Sequence, residues 1–384
     1  MKRYDQTYYS YILNFDPVYT PPRPRPESFD PFKGMPRQED FKAEPCVRGL
    51  EGGGAEISLY MPDARKAVVK YHVNKTLEMK KGSDGYFRVS APDFPSGFQY
   101  VRFEVDGVPY IHPFLPVGYG SGSAVNYVDI PGKDDFYLLK DVPHGTVSME
   151  LYKSAINGRF RTCWVYTPPG YETGSKRYPV YYIQHGGGET ETGWFWQGKL
   201  NCIMDNLIAA RECEEMIVVA NAGTAYREIG PDEFTLSDAS AIIADECVPF
   251  IDTKYRTIAD ASHRAVAGLS MGGGMARHIA HSRPDMFRNL GVFSSGQGFM
   301  VAGTSQGVTF DYSALFSTPE HYNSLFDVTF VTCGDTDMRH TYTSEQAGGL
   351  AARGFNVIYR EYAGDHEWNV WRESARDFAK MIFR

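Results

Sequence analysis

The residues Gly268-Leu-Ser-Met-Gly272 fit the pattern G-x-S-x-G, in which one serine stands between two glycines. Apolar residues at 265–267 indicate the end of a buried strand, and the run 275–281 is typical of a helix. Glycines at both flanks let neighbouring backbone approach closely, so the turn can hold the serine hydroxyl above a sheet edge. We therefore predict that Ser270 is a nucleophile for acyl transfer. The alternative is a glycine-rich turn with an idle serine.

A serine hydroxyl is a weak nucleophile at neutral pH, so it needs a histidine base within hydrogen-bond reach. His366 directly follows a predicted strand at 357–362, which places it in a loop at the carboxyl edge of a sheet. We predict that His366 is the base. His340 is the alternative, or else a solvated loop residue. His278 and His281 lie on the helix after the serine and are expected to pack or to face solvent.

The base in turn needs a carboxylate that fixes its tautomer. Asp335 and Asp337 both lie in the loop after a predicted strand at 329–332. We favour Asp337, because the turn at Gly334 needs about three residues to bring a carboxylate back over the sheet edge. Asp335 could instead cap the next turn.

A developing oxyanion needs backbone N–H donors. The N–H of Met271, at the first turn of the helix, is one candidate. The run His185-Gly-Gly-Gly188 supplies the other, since glycines let the main chain face a ligand without obstruction. We assign this donor to Gly187, with the two neighbouring glycines as alternatives. A phosphate-binding loop is excluded, because the run lacks a following Gly-Lys-Ser/Thr. His185 is expected to have a structural, hydrogen-bonding role.

These residues must be positioned by strands that alternate with helices from about residue 146 onward. Helical patterns include 238–251. The first two strands should form a hairpin around Asn157-Gly158, and the rest should form a mainly parallel, doubly wound sheet in an α/β fold. The predicted strands are 148–152, 161–167, 180–183, 215–220, 265–268, 290–293, 329–332 and 357–362.

The chain before residue 146 has a different sequence pattern. Residues 1–44 are rich in proline and predict an extended arm. Residues 45–130 carry short alternating patterns, including a hairpin signal at Asp106-Gly107, and predict a small antiparallel β-sandwich of about seven strands. Residues 131–145 are the predicted linker to a catalytic domain at 146–384.

Composition limits the classes of partner. At 384 residues the chain is long enough for two domains, and its hydrophobic fraction of 42% and charged fraction of 22% are ordinary for a globular protein. A net charge of −8 argues against nucleic acid and anionic membranes as partners. We find no apolar run of membrane-spanning length, and Met1-Lys-Arg is followed by polar residues rather than by the apolar core of a signal peptide.

The six cysteines form no CxxC pair and no cluster with metal-ligand spacing. Most lie in apolar segments, so buried free thiols are expected, with a disulfide between Cys202 and Cys213 as an alternative. No metal or organic cofactor is needed for the chemistry of a serine, a histidine and a carboxylate.

Several motifs together resemble the esterase D-like group of α/β-hydrolases and, more narrowly, carbohydrate esterase family 1 of feruloyl and acetylxylan esterases. The likeness covers residues from about 142 to the end of the chain. The motifs are Val142-Pro-His-Gly-Thr146, Val165-Tyr-Thr-Pro-Pro-Gly-Tyr171, Tyr178-Pro-Val-Tyr-Tyr-Ile-Gln-His-Gly-Gly187, Gly193-Trp-Phe-Trp-Gln-Gly198, Asp205-Asn-Leu-Ile208 and Gly268-Leu-Ser-Met-Gly-Gly273.

The resemblance implies an α/β-hydrolase fold in which Ser270, Asp337 and His366 match the nucleophile, acid and base in their chain order. Where the family often has leucine or isoleucine after the His-Gly pair, this chain has Gly187, which leaves the wall of the acyl pocket less defined. The preceding β domain resembles carbohydrate-binding modules of the glycogen-branching-enzyme type. Four residues near the catalytic motifs are expected to shape the acyl or sugar site, or to be hydrophobic plugs under loops. They are Trp194, Trp196, Gln197 and Trp368.

For the substrate, the resemblance implies hydroxycinnamoyl (ferulate-type) esters on plant cell-wall polysaccharide such as arabinoxylan, or feruloylated oligosaccharides. Acetylxylan is the alternative substrate. A peptidase of the same fold is a further alternative, as is a carbohydrate-binding protein that keeps the scaffold without turnover. A secreted or periplasmic location is expected, and a cytoplasmic one stays open.

Overall fold

A computed structural model describes residues 46–384 apart from 51–52, 73–74, 113–114, 131, 133–135, 228–232, 235, 296–300 and 306–307. The predicted N-terminal arm and part of the predicted linker therefore lie outside the described residues. The chain divides into two compact units between Leu139 and Lys140. Within the described ranges, no helix combines the length and the apolar character that crossing a bilayer requires.

The N-terminal unit consists of two antiparallel sheets, with strand orders β1-β2-β6-β5 and β4-β3-β7-β10-β9, and β8 pairs with β7. Antiparallel strands were predicted here and are confirmed, although the described residues form ten strands rather than about seven. The strands are β1 (Val47–Gly49), β2 (Ala55–Tyr60), β3 (Ala67–Tyr71), β4 (Lys75–Glu78), β5 (Lys80–Lys81), β6 (Tyr86–Ala91), β7 (Gly97–Val105), β8 (Val108–Tyr110), β9 (Val117–Gly120) and β10 (Ser123–Ile130).

Alternation along these strands builds one hydrophobic core, to which both sheets contribute. Ile57 of β2 and Phe87 of β6 come from one sheet, and Val69 of β3 and Val101 of β7 come from the other. The turn between β7 and β8 has positive φ at both Asp106 (49°) and Gly107 (86°), as a two-residue hairpin requires. The likeness of this unit to a carbohydrate-binding module stays a prediction.

The second unit is organised around an eight-stranded sheet of order β11-β12-β14-β13-β17-β18-β21-β22. Two short hairpins, β15–β16 and β19–β20, stand apart from it. The strands are β11 (Thr146–Lys153), β12 (Phe160–Thr167), β13 (Val180–Gln184), β14 (Ile217–Asn221), β15 (Tyr226–Arg227), β16 (Glu233–Phe234), β17 (Arg264–Leu269), β18 (Asn289–Phe293), β19 (Ala302–Ser305), β20 (Val308–Asp311), β21 (Val328–Gly334) and β22 (Val357–Tyr362).

The central sheet is mixed, so the expectation of a mainly parallel sheet is met only in part. β11 and β12 form the predicted antiparallel hairpin, and β12 then pairs antiparallel with β14. From β14 through β13, β17, β18 and β21 to β22 every pairing is parallel. The carboxyl ends of the parallel strands therefore meet at one edge, where ligand sites of open α/β sheets lie.

Helices connect the parallel strands. They are α1 (Gly193–Trp196), α2 (Leu200–Ala209), α3 (Leu236–Ala241), α4 (Val248–Lys254), α5 (Met271–Ser282), α6 (Pro319–Leu325), α7 (His340–Ala352) and α8 (Trp368–Met381). A π-helical segment, Ile242–Cys247, joins α3 to α4, so the predicted helix at 238–251 lies within one longer helical region.

The core of the second unit lies mainly between the apolar strands and these helices. Val180, Val219, Val266 and Val292 are fully buried, as expected for strands of a sheet that is covered on both faces. The six cysteines are free thiols, and all but Cys213 are buried. The alternative of a disulfide between Cys202 and Cys213 is therefore not found.

Candidate active site

Ser270 occupies a sharp turn between β17 and α5. Its backbone has φ 53° and ψ −116°, a sparsely populated positive-φ conformation that costs a non-glycine residue of order 1–3 kcal/mol. Its N–H donates to the carbonyl of Phe293 at 2.8 Å, which ties the turn to the neighbouring strand β18. The surrounding sheet thus holds the serine in a strained position at the carboxyl edge.

The two flanking glycines are required by close contacts, as the motif predicts. A Cβ atom at Gly268 would lie 2.4 Å from the backbone of Gly272. A Cβ atom at Gly272 would lie 2.5 Å from the carbonyl oxygen of His185, in the loop after β13. These separations are too short for any side chain, so the elbow packs tightly against the glycine-rich loop.

We expect Gly272→Ala to lower the free energy of unfolding by about 2–3 kcal/mol, because the added methyl group forces backbone atoms apart. Chemical denaturation of the purified variant measures this loss. Gly348→Ala is the matched control, since a Cβ atom there meets nothing within 4 Å in α7. Alanine at that helical position should be neutral or stabilising by about 0.5–1 kcal/mol. Equal stability of the two variants would contradict the packing argument.

The structure brings the predicted nucleophile, base and acid together. His366 Nε2 lies 3.0 Å from Ser270 Oγ, and His366 Nδ1 lies 2.7 Å from Asp337 Oδ2. The imidazole also meets the ring of Trp371 edge to face, with centroids 5.0 Å apart. The serine follows β17, the aspartate follows β21 and the histidine follows β22, so parallel pairing explains their convergence. Their catalytic role stays a prediction at this point.

Asp337 is held as a buried carboxylate. Burial raises its pKa, but hydrogen bonds from His366 and Arg339 outweigh burial and lower the pKa to about 2. The backbone N–H and the Nη1 of Arg339 both donate to Asp337 Oδ1, each at 3.0 Å. Since the folded pKa is lowered, ionised Asp337 contributes stability above its unfolded pKa, and this is lost as pH falls toward 2.

The alternative acid and base have other partners. Asp335 Oδ1 accepts the N–H of Gly364 at 2.9 Å and so links the acid loop to the histidine loop. His340 Nε2 pairs with Glu361 at 2.7 Å and begins α7. His281 is buried among aromatic rings, including Tyr312 and Phe316, as expected for a packing residue. These contacts leave Asp337 and His366 as the pair that reaches the serine.

The glycine-rich loop after β13 lies beside the elbow. A Cβ atom at Gly186 would lie 3.5 Å from the Cβ of Ser270. The N–H of Gly186 donates to Glu189 Oε2 at 3.1 Å, whereas Gly187 is exposed. Met271 is the first residue of α5, so its N–H has no acceptor within the helix. The assignment of Gly187 and Met271 as oxyanion donors stays a prediction.

His185 has the structural contacts that were expected. Its Nε2 accepts the N–H of Gly223 at 2.9 Å, so its Nδ1 carries the proton and donates to the carbonyl of Gly186 at 2.8 Å. Burial lowers the pKa of this imidazole, so it is neutral at ordinary pH. His185 therefore fixes the glycine-rich loop.

Three of the four residues expected to shape the substrate site are interior. Trp194, Gln197 and Trp368 are each 0% exposed, and only Trp196 is partly exposed. The Trp194 indole meets Trp368 edge to face at 5.2 Å and donates its N–H to the carbonyl of Gln184 at 3.0 Å. In this structure these indoles support the loops from beneath and do not face solvent, because packing removes their large apolar area from water.

Sequence reasoning missed three residues of the site. Arg339 bonds Asp337, Glu189 bonds the glycine-rich loop, and Trp371 packs on the ring of His366. Arg339 follows Asp337 by two residues and Glu189 directly follows Gly188, so closeness in sequence to a predicted motif was the available signal. Among the residues that the structure describes, no group of three or more His, Cys, Asp or Glu side chains could hold a metal ion.

Solved structures that resemble this chain include esterases. A ferulic acid esterase is 25% identical, with a TM-score of 0.52 that covers 62% of this chain and 97% of that chain. A CE1 ferulic acid esterase from Anaeromyces mucronatus is 19% identical, with a TM-score of 0.55 that covers 66% of this chain and 96% of that one. At that identity the second likeness shows the fold alone. The fold is that of the α/β-hydrolase-type esterases.

The chain belongs to the esterase family whose model is described as "Putative esterase", which matches residues 154–379. A curated relative, the endo-1,4-beta-xylanase/feruloyl esterase of Xylanibacter ruminicola, is 31% identical over 97% of this chain. That match covers 50% of the relative, so the chain spans about half its length.

Proposed function

We propose that this protein is a serine esterase that releases hydroxycinnamic acids of the ferulate type from esterified plant cell-wall polysaccharide, such as arabinoxylan. The observation that carries the reaction class is the chain of contacts from Ser270 Oγ through His366 to Asp337, at 3.0 and 2.7 Å. Support for the acyl group comes from the likeness to feruloyl esterases. A polymeric substrate would place the protein outside the cytoplasm, which is part of the proposal.

The first half of the reaction forms an acyl-enzyme. Ser270 Oγ attacks the ester carbonyl as His366 Nε2 takes its proton, and the carboxylate of Asp337 stabilises the imidazolium. The oxyanion of the tetrahedral intermediate accepts hydrogen bonds from the backbone N–H groups of Met271 and Gly187. Each of these hydrogen bonds stabilises the transition state by roughly 3–4 kcal/mol. His366 then gives its proton to the sugar oxygen as the C–O bond breaks, so the sugar leaves as an alcohol.

The second half regenerates the enzyme. A water molecule loses a proton to His366 Nε2 and attacks the acyl-serine carbonyl. Collapse of the second tetrahedral intermediate breaks the bond to Ser270 Oγ, which recovers the proton from His366. The products are a hydroxycinnamic acid and free enzyme, and no cofactor enters the balance.

The acyl preference is tested by comparing kcat/KM for methyl ferulate with acetate release from acetylated xylan. We expect kcat/KM for methyl ferulate to exceed that for acetylated sites by at least about tenfold, because a pocket that buries an aryl ring gains a few kcal/mol. The reverse ratio would make the protein an acetylxylan esterase and would leave the serine mechanism standing. Absence of both activities, with retained binding of xylan, would favour a carbohydrate-binding protein on a hydrolase scaffold.

A further inference from the structure

Two donors of one residue hold the inner oxygen of the predicted acid. Asp337 Oδ1 accepts the backbone N–H and the Nη1 of Arg339, while Asp337 Oδ2 faces His366. The Asp337 side chain is fully buried and the Arg339 side chain is 27% exposed, so the pair is only partly screened by solvent. A guanidinium is charged at every working pH.

We propose that Arg339 is a positioning residue that orients Asp337 and disfavours the protonated form of His366, which keeps the site active at lower pH. The inference rests on the proposed function. Arg339 is hydrogen-bonded to Asp337, which is hydrogen-bonded to His366, so the carboxylate lies between the guanidinium and the imidazole. The positive charge of Arg339 opposes a second positive charge on His366. It also offsets part of the negative charge of Asp337 that would otherwise favour the imidazolium.

The other ionisable groups around His366 do not supply this charge. On its own loop, Asp365 Oδ1 accepts the backbone N–H of His366 at 2.8 Å, and Glu367 Oε1 lies 3.4 Å from the N–H of Asp365. Burial raises the pKa of Cys333, beside Asp337, to about 12, so this thiol is neutral. On neighbouring segments, Asp335 bonds the N–H of Gly364, Glu189 bonds the N–H of Gly186, and His340 pairs with Glu361. A carboxylate near an imidazole favours the imidazolium, whereas the guanidinium of Arg339 carries the opposite charge.

Three substitutions separate charge from hydrogen bonding. Arg339→Lys keeps the charge, Arg339→Gln keeps a donor without charge, and Arg339→Met removes both. Each is assayed by the pH dependence of kcat/KM with 4-nitrophenyl acetate, a small neutral ester that does not depend on a feruloyl pocket. The acid limb of this profile reports protonation of the base in the free enzyme.

We expect the acid limb to move up by about one pH unit in Arg339→Gln and Arg339→Met, and to stay in place in Arg339→Lys. At pH values below the acid limb, this shift appears as a roughly tenfold loss of kcat/KM. The plateau of kcat/KM at higher pH changes by less than about threefold. An acid limb that does not move in Arg339→Gln, or a lower plateau without a shift, would overturn the proposal.

Two further measurements keep the outcome decisive. If a variant loses activity, NMR titration of the His366 ring in the full-length protein measures the same shift without turnover. If the wild-type protein hydrolyses no ester, or if Ser270→Ala is as active as wild type, the proposed function fails. A wild type that is active through Ser270, with an unmoved limb in Arg339→Gln, overturns the role of Arg339 alone.

Discussion

Ser270→Ala is expected to lower kcat for ester hydrolysis on the order of 10⁵-fold, to near the rate supported by the oxyanion donors and binding alone. The hydroxyl oxygen is the atom that would form the acyl-enzyme, and it lies 3.0 Å from the imidazole nitrogen of His366 that would take its proton. Alanine removes only the oxygen, so the positive-φ turn and the hydrogen bond from its N–H to Phe293 should persist. Release of ferulate from methyl ferulate, followed by absorbance, measures the effect.

Ser262→Ala is the matched control for this prediction. Ser262 is an exposed residue just before β17, the strand that ends at the elbow, and the substitution is chemically identical. It should leave kcat within about twofold, since surface substitutions of this kind change little. Far-UV circular dichroism of both variants checks that they are folded. A folded Ser270→Ala protein with an unchanged rate would show that the serine is not the nucleophile.

The strand pattern of the second unit could be predicted because its central strands are continuous apolar runs. Each of the eight predicted strands overlaps an observed strand, and the last, β22, has the predicted limits. A buried strand needs apolar residues on both faces, which gives a strong local signal. Strand direction has no such local signal, so the antiparallel pairing of β12 with β14 was not foreseen.

The convergence of Ser270, Asp337 and His366 could also be predicted, because residues that directly follow parallel strands share one sheet edge. The environment of each side chain could not. The sequence indicated accessible positions for Trp194 and Trp368, yet these residues lie in α1 and at the start of α8 and pack against each other in the interior. Arg339 reaches back to Asp337 only because the acid loop folds into the first turn of α7. Such contacts depend on tertiary packing rather than on spacing.

Replacing Asp335 or Asp337 with asparagine tests which of the two carboxylates is the catalytic acid, because each replacement exchanges one carboxylate oxygen for an NH₂ group. Asp337→Asn is expected to lower kcat at neutral pH by about 10⁴-fold, whereas Asp335→Asn should change kcat by less than about tenfold. The second aspartate links the N–H of Gly364 to the acid loop, and an amide oxygen can accept that bond as well. Steady-state kinetics with methyl ferulate measure both variants under the same conditions.

The large expected loss of kcat in Asp337→Asn follows from the orientation that the asparagine amide group must adopt. Arg339 presents two donors to the inner oxygen, at 3.0 Å each, so an asparagine there must place its carbonyl oxygen inward and its NH₂ group toward His366. That NH₂ group can only donate to Nδ1, which moves the ring proton to Nε2, where it faces the hydroxyl of Ser270. The imidazole then has no lone pair to receive the serine proton. Equal losses in the two asparagine variants would show instead that the loop as a whole, and not this carboxylate, sets the tautomer.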